Sequence, residues 1–131
     1  MTETTKNVIA NVVAITIAAL FLFWGVTLYR QWYQFRLGEQ SLATGDYIQA
    51  IAGYEAAMHM YTPFSPLVED SARKLWQIGQ TMERKGQIDR ALIAYRALRS
   101  SFYAAHGLTQ PGKEWIARCD AKIRQLAPPA P

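Results

Sequence analysis

The first hydrophobic pattern along the chain is an unbroken apolar run near the amino terminus. No charged residue occurs between Lys6 and Arg30, and the 23 residues at 7–29 are mostly Val, Ile, Ala, Leu and Phe. As an α-helix this run would extend about 34 Å, enough to cross a hydrocarbon core about 30 Å thick. The pattern therefore predicts a transmembrane helix over residues 7–29, preceded by a short tail at residues 1–6.

The residues at the end of the run have the character of a membrane interface. Aromatic rings and a positive charge alternate there, in Tyr29, Arg30, Trp32 and Tyr33. A secretory signal peptide is the main competing interpretation, but such signals have apolar cores of about 7–15 residues followed by a small-x-small cleavage site. This run is longer and no such pair follows it, so we expect an uncleaved anchor. A buried core helix is disfavoured because the run is apolar on every side.

The sequence leaves the orientation and the surroundings of this anchor open. Lys6 and the amino terminus lie on one side of the run, and Arg30 and Arg36 lie on the other, so the positive charges are nearly balanced. Alanines spaced by four residues, Ala10, Ala14 and Ala18, could allow a second helix to approach closely, although alanine is common in such helices. The short single-span layout is compatible with a bacterial inner membrane.

Beyond the anchor the hydrophobic positions recur with a helical period. The segment is rich in Ala, Leu, Gln, Arg and Ile and lacks the alternation expected of strands. We therefore predict an all-α chain in which an N-terminal transmembrane helix is followed by antiparallel helical hairpins and a C-terminal capping helix. No Pro or Gly separates the anchor from the first hairpin helix, so one long helix should run from the bilayer to Ala43.

An internal repeat appears when the chain is shifted by 41 residues. The shift places Leu37-Gly38 on Ile78-Gly79, Gly45 on Gly86, Ala50 on Ala91, Ile51 on Leu92, and Tyr54 on Tyr95. Each copy predicts a helix, a glycine turn and a second helix, over residues 32–62 and 67–103. Small residues at 38 and 79 would let the two helices approach closely, and Gly45 and Gly86 would end the first helix in a left-handed conformation.

These offsets resemble the tetratricopeptide repeat family, whose units of about 34 residues carry Leu-Gly, a turn glycine, an alanine and an aromatic residue. The period of 41 departs from that length, and about seven residues are inserted near residues 61–68. The family's first tryptophan position holds Gln34 and Leu75. In the inserted loop, Ser65 is expected to be the N-cap of the next helix and Pro66 its first residue.

A further helix is predicted over residues 110–126, because Trp115, Cys119, Ile123 and Leu126 recur on one helical face. Repeat arrays expose an apolar end unless a terminal helix covers it, so this helix is the natural cap. Residues 127–131 contain three of the six prolines and are expected to form a disordered tail.

Charge is distributed unevenly along the chain, whose net charge is +4. Residues 36–70 contain one Arg and five acidic residues, whereas residues 71–131 contain eleven basic and four acidic residues. Such a division could allow head-to-tail association of copies, or binding of the basic half to acidic lipid or an acidic partner. A solvated surface explains it equally well. Nucleic acid is disfavoured because no nucleic-acid-binding motif accompanies the dispersed basic residues.

No catalytic or cofactor-binding pattern is present in the sequence. His59 and His106 belong to no metal-binding arrangement, and the glycines occur singly, so no phosphate-binding loop is expected. His59 is expected at a helix end and His106 in a loop. Cys119 is expected to be a buried thiol with nothing nearby in sequence to lower its pKa. We therefore expect a protein without enzymatic activity and without a cofactor.

The tetratricopeptide resemblance implies a ligand groove lined by the first helix of each repeat. The positions that match are Trp32, Phe35, Glu39 and Leu42 in the first copy, and Arg73, Trp76, Gln80, Glu83 and Arg84 in the second. Trp76 beside Arg73 would be the anchor for an extended peptide. The implied function is recruitment of a protein partner at the membrane, as a scaffold or assembly adaptor. A structural accessory subunit held through its transmembrane helix is the alternative, and a lipid-surface sensor is a third possibility.

Overall fold

The computed structural model describes residues 2–60 and 65–127, which form five α-helices and no β-strand. The helices are α1 (Glu3–Ala43), α2 (Tyr47–His59), α3 (Leu67–Arg84), α4 (Ile88–Ala104) and α5 (Lys113–Leu126). The all-α prediction is therefore confirmed. Helices α1 and α2 form one antiparallel hairpin, α3 and α4 form a second, and α5 packs on α4.

Helix α1 is continuous for 41 residues, and its N-terminal part stands free of the rest of the protein. Thr2 caps it, with its hydroxyl accepting the Thr5 N–H at 3.2 Å, so residues 3–6 of the expected tail are helical. Every described residue up to position 26 is exposed. Within the described residues, this helix is the one long and apolar enough to cross a membrane, judged by length and composition.

The two hairpins depend on glycines at the positions where their helices cross. An added Cβ at Gly38 would lie 3.1 Å from the Tyr54 ring, and one at Gly79 would lie 2.5 Å from the Tyr95 ring. Gly45 and Gly86 have φ values of 81° and 74°, the left-handed conformation that ends the first helix of each hairpin. The sequence prediction for these four glycines is confirmed.

The N-cap of α3 lies one residue later than the sequence indicated. Helix α3 starts at Leu67, and Pro66 instead of Ser65 is its N-cap residue. Ser65 still contributes, because its hydroxyl accepts the Leu67 N–H at 3.3 Å and donates to Gln31 Oε1 at 2.6 Å. The predicted loop residues at 61–64 and the end of the predicted tail, 128–131, lie outside the described residues.

Helix α5 repeats the buried face of α3 after a further shift of 41 residues. Leu75, Ile78 and Met82 are buried on α3, and the equivalent Ile116, Cys119 and Ile123 pack into the core from α5. The helix starts at Lys113, later than predicted, because Gly112 adopts φ 72° against the Phe102 ring. Within residues 2–60 and 65–127, the array therefore consists of two hairpins and a fifth helix that repeats the buried face of α3.

Candidate partner-binding surfaces

Glu39 and Glu83, two of the predicted groove residues, hold neighbouring units of the array together. Tyr54 donates its hydroxyl to Glu39 Oε1 at 2.5 Å, and Lys74 Nζ of the next unit lies 3.4 Å from the same oxygen. The second unit repeats this cluster. There Tyr95 donates to Glu83 Oε2 at 2.6 Å, and Lys122 Nζ of α5 lies 3.0 Å from that oxygen.

The clusters perturb the titration of their members. Burial acts to raise the pKa of the Glu83 carboxyl, but hydrogen bonds from Tyr95 and Lys122 and the charge of Lys122 outweigh it and hold that pKa below its ordinary value. Burial, together with the carboxylate it faces, raises the pKa of Tyr95, and the same causes raise the pKa of Tyr54. Both phenols therefore stay protonated and act as donors.

Replacing Glu83 by glutamine tests this cluster through its pH dependence. Because the folded pKa of Glu83 is depressed, its stabilisation is complete above the ordinary glutamate pKa of 4.5 and is lost as the pH falls through the lower folded value. We expect Glu83→Gln to lower the free energy of unfolding by about 1–2 kcal/mol at neutral pH. Below pH 4.5 the difference from the wild type should shrink.

Urea unfolding of the detergent-solubilised protein, followed by circular dichroism across this pH range, measures both effects. Glu114→Gln is the matched control, since it removes an exposed carboxylate of α5 without touching the cluster. A difference between Glu83→Gln and the wild type that is constant with pH would contradict the proposed role of the ionised carboxylate.

The aromatic residues predicted for the groove are largely used in packing. The Trp76 ring lies 5.0 Å from the Tyr95 ring and 6.0 Å from the Trp115 ring, so the residue is half-buried. Phe35 packs against Tyr54 in the same way, with ring centroids 5.4 Å apart. Trp76 therefore joins α3 to α4 and α5, and truncating it would remove core contacts as well as any anchor for a peptide.

The remaining predicted groove residues show varied exposure. Leu42 is partly buried against the core, and Gln80 is half-buried on α3. Arg73 and Arg84 are exposed, where Arg73 donates to Asp70 and Arg84 donates to the Thr81 hydroxyl. On α3, these two arginines are the charged residues of the predicted groove whose side chains remain exposed to a partner.

The residues predicted for the membrane interface lie on the exposed surface of α1. Tyr29, Arg30, Trp32 and Tyr33 are all exposed. The rings of Tyr29 and Trp32 are 6.1 Å apart, and the Arg36 guanidinium lies 5.7 Å from the centroid of Trp32. Tyr29, Arg30 and Tyr33 also line a small cavity with Met60 at the end of α2. This arrangement suits the boundary between lipid and water.

A groove between α4 and α5 is the surface that sequence reasoning missed. It has a volume of about 1030 Å³ and runs along the outer face of α4. Its lining residues are Glu55, Ile93, Arg96, Ala97, Arg99, Ser100, Ala117, Asp120, Ile123 and Arg124. In the first two units the corresponding space beside the first helix is filled by the second helix of the hairpin.

Asp120 distinguishes this groove from the two complete hairpins. It lies 41 residues after Gly79 and thus at the crossing point that Gly38 and Gly79 keep small. Its carboxylate accepts from Arg99 Nε at 2.5 Å. A helix packed here must stay at an ordinary interhelical distance of about 8–10 Å, because the close approach through glycine is blocked.

The groove combines an apolar floor with unpaired positive charge. Ile93 is 45% exposed, unusually high for an isoleucine beside the core. Arg96 and Arg124 are exposed, and neither has an ion-pair partner among residues 2–60 and 65–127. An apolar strip flanked by two arginines is chemically suited to an amphipathic helix that carries acidic residues.

The histidines and the cysteine have structural positions. His59 ends α2 and its Nε2 lies 3.4 Å from the Ser101 hydroxyl, while His106 lies in the loop after α4. Cys119 is fully buried, and burial raises the pKa of its thiol to about 12. Within the described part of the chain, no group of three His, Cys, Asp or Glu residues could hold a metal ion.

Comparisons with known proteins identify no relative. No protein-family model matches the chain, and no curated protein and no solved structure matches it. The tetratricopeptide resemblance therefore stays a prediction from the sequence, and the surfaces described above supply the basis for a function.

Proposed function

We propose that this protein is a membrane-anchored, tetratricopeptide-like adaptor that holds a protein partner at a bacterial inner membrane and has no catalytic activity of its own. The observation that carries the proposal is the open groove between α4 and α5. Helix α5 repeats the buried face of α3, and no helix among residues 2–60 and 65–127 covers the groove that it forms with α4. An amphipathic helix of a partner would fit this groove.

The anchor determines where this binding takes place. Helix α1 passes from the apolar run into the first hairpin without a break, and Gln31 just beyond the run is buried against the end of α2. A rigid connection of this kind holds the groove at a fixed distance from the bilayer. An adaptor benefits from that arrangement, because a partner bound there loses little further freedom when it assembles with other membrane components.

The chemistry of the groove specifies the partner segment. An apolar stripe of three or four residues would cover Ile93, Ala97 and Ile123, and acidic residues beside the stripe would pair with Arg96 and Arg124. Because Arg96 and Arg124 are solvent-exposed, these pairs would contribute to specificity and association rate more than to affinity. The predicted α3 residues Arg73 and Arg84 offer a second basic surface on the same domain.

Two double variants with reversed charge test whether the partner binds to the α4–α5 groove or to the basic surface of α3. We expect Arg96→Glu with Arg124→Glu to abolish partner capture, and Arg73→Glu with Arg84→Glu to leave it intact. Both double variants change the net charge equally and replace exposed arginines, so each should stay within about 0.5–1 kcal/mol of wild-type stability. A photo-crosslinking amino acid at Ala117 in native membranes detects the partner, and mass spectrometry of the adduct identifies it.

The outcomes discriminate between the surfaces and between the functions. Absence of an adduct in the wild type, or its loss only in the Arg73 and Arg84 variant, would contradict capture through Arg96 and Arg124. Adducts that persist in both variants would contradict capture through either basic surface.

The exposed apolar surface of α1, including the alanine stripe, favours a second candidate function, an accessory subunit held through the span. Exchanging residues 7–29 for an unrelated span would then abolish the interaction, whereas an adaptor would retain it.

A further inference from the structure

The contacts of Gln31 define which end of the domain faces the proposed membrane. Gln31 lies two residues beyond the apolar run, where its Nε2 donates to the Ala57 carbonyl at 3.0 Å and its Oε1 accepts from Ser65 at 2.6 Å. The end of α2 and the start of α3 therefore lie beside the point at which α1 leaves the run.

The connection between α4 and α5 lies at this same end. Ser101, near the end of α4, contacts His59 at the end of α2, with 3.4 Å between Oγ and Nε2. Trp115, near the start of α5, donates from Nε1 to Glu69 near the start of α3 at 2.9 Å. Helix α4 continues three residues beyond Ser101, or about 4.5 Å, towards the level of the apolar run.

The α4–α5 loop, residues 105–112, is tied at its base and presents a leucine at its tip. Gln110 Nε2 donates to the Phe102 carbonyl at 2.7 Å, and the Gly107 N–H donates to the Thr109 carbonyl at 3.1 Å. Leu108 is fully exposed, and Tyr103 at the end of α4 is 42% exposed. Outside α1, the described residues include few large apolar side chains that are exposed to this degree.

We propose that the α4–α5 loop inserts Leu108 into the lipid–water boundary of the bilayer that α1 crosses, which gives the domain a second membrane contact. The proposal rests on the membrane span proposed above. Leucine at a loop tip removes apolar surface from water by entering the acyl boundary, and tyrosine suits the headgroup level beside it. The acidic residues nearby are already partnered, since Glu69 accepts from Trp115 and Asp70 accepts from Arg73. Because the side chains of Leu108 and Tyr103 carry no charge, the contact requires no anionic lipid.

The second contact would restrict the tilt of the domain against the bilayer. A single span leaves a domain free to tilt, whereas a span and a loop hold one end of the domain at the membrane surface. The distal turns at Gly45 and Gly86 then point away from the bilayer, and the α4–α5 groove extends along both helices away from the loop. A partner helix would reach the groove from a defined direction.

Fluorescence quenching in phosphatidylcholine vesicles tests the contact on the full-length protein. Single cysteines at Thr109, at Gln87 in the distal turn and at Leu20 in the run, with the buried Cys119 replaced by alanine, carry an environment-sensitive fluorophore. Lipids with a quencher near the headgroup end of the acyl chain should quench the label at position 109, and lipids with a quencher near the far end of the chain should quench the label at position 20. Neither lipid should quench the label at position 87. Adding Leu108→Asp should abolish quenching at position 109 without changing the helical circular dichroism.

Each result supports or overturns the proposal. Quenching at position 109 that equals that at position 87, while position 20 is quenched, would overturn the loop contact and leave the span intact. Quenching at position 109 that survives Leu108→Asp would show that the leucine does not make the contact. Absence of quenching at position 20 would overturn the span and the loop contact together, which separates failure of the anchor from failure of this inference.

Discussion

Replacing Gly53 by alanine is expected to lower the free energy of unfolding of the first hairpin by at least ~2 kcal/mol. The added Cβ would lie 2.7 Å from both the Cα and the N of Gly38, and 3.0 Å from the Gln34 carbonyl oxygen. These are backbone atoms, so no side chain can rotate to make room. Alanine favours a helix over glycine by about 1 kcal/mol, and the steric conflict must overcome that gain before any loss is measured.

Chemical unfolding in detergent, monitored by circular dichroism, measures this loss. Gly107→Ala is the matched control, because no atom outside the neighbouring residues lies within 4 Å of the position where its Cβ would be built. We expect the control to change stability by no more than about 0.5 kcal/mol. Equal stability of the two variants would mean that α1 and α2 do not cross at the distance described above.

The glycine contacts also show which parts of the fold a sequence can predict. Gly45 and Gly86 are recognised from local chemistry, because a left-handed residue is needed wherever a helix must end in a tight turn. Gly38 and Gly79 stand out through the 41-residue repeat. Gly53 has no counterpart in the second hairpin, where Ala94 occupies the equivalent position, so only the crossing of α1 and α2 reveals why glycine is required there.

The candidate site was harder to predict than the fold, for a physical reason. The sequence assigns Trp76 to the first helix of a repeat, but its exposure depends on whether another helix lies beside it, and Trp115 of α5 does. The α4–α5 groove likewise depends on how α5 packs beside α4, which the sequence pattern does not specify. A signal was present in the sequence, since the 41-residue shift continues from Ile78 to Cys119 and places Asp120 on Gly79. A charged residue at this position indicates that the close glycine crossing of the two hairpins is not repeated on α5.

The largest effect is expected from charges placed in the centre of the apolar run. We expect Ala18→Arg with Leu22→Arg to prevent membrane integration, because each arginine at the middle of a span costs about 2.5–3.5 kcal/mol. Both positions are exposed on α1 and contact neither hairpin, so the hairpins should keep their helical structure and stability. The protein would move from the membrane pellet to the supernatant after alkaline carbonate extraction.

A conservative exchange at the same two positions separates charge from shape. Ala18→Leu with Leu22→Ala keeps the apolar composition of the run and should leave the protein in the pellet. A wild-type protein that is itself extracted by carbonate would contradict the anchor, and a mature chain lacking residues 1–29 by mass spectrometry would identify the run as a cleaved signal peptide. Retention of the diarginine variant in the pellet would contradict the expected cost of the two arginines, because alkaline carbonate releases proteins that are only bound to the membrane surface and a retained chain is still integrated.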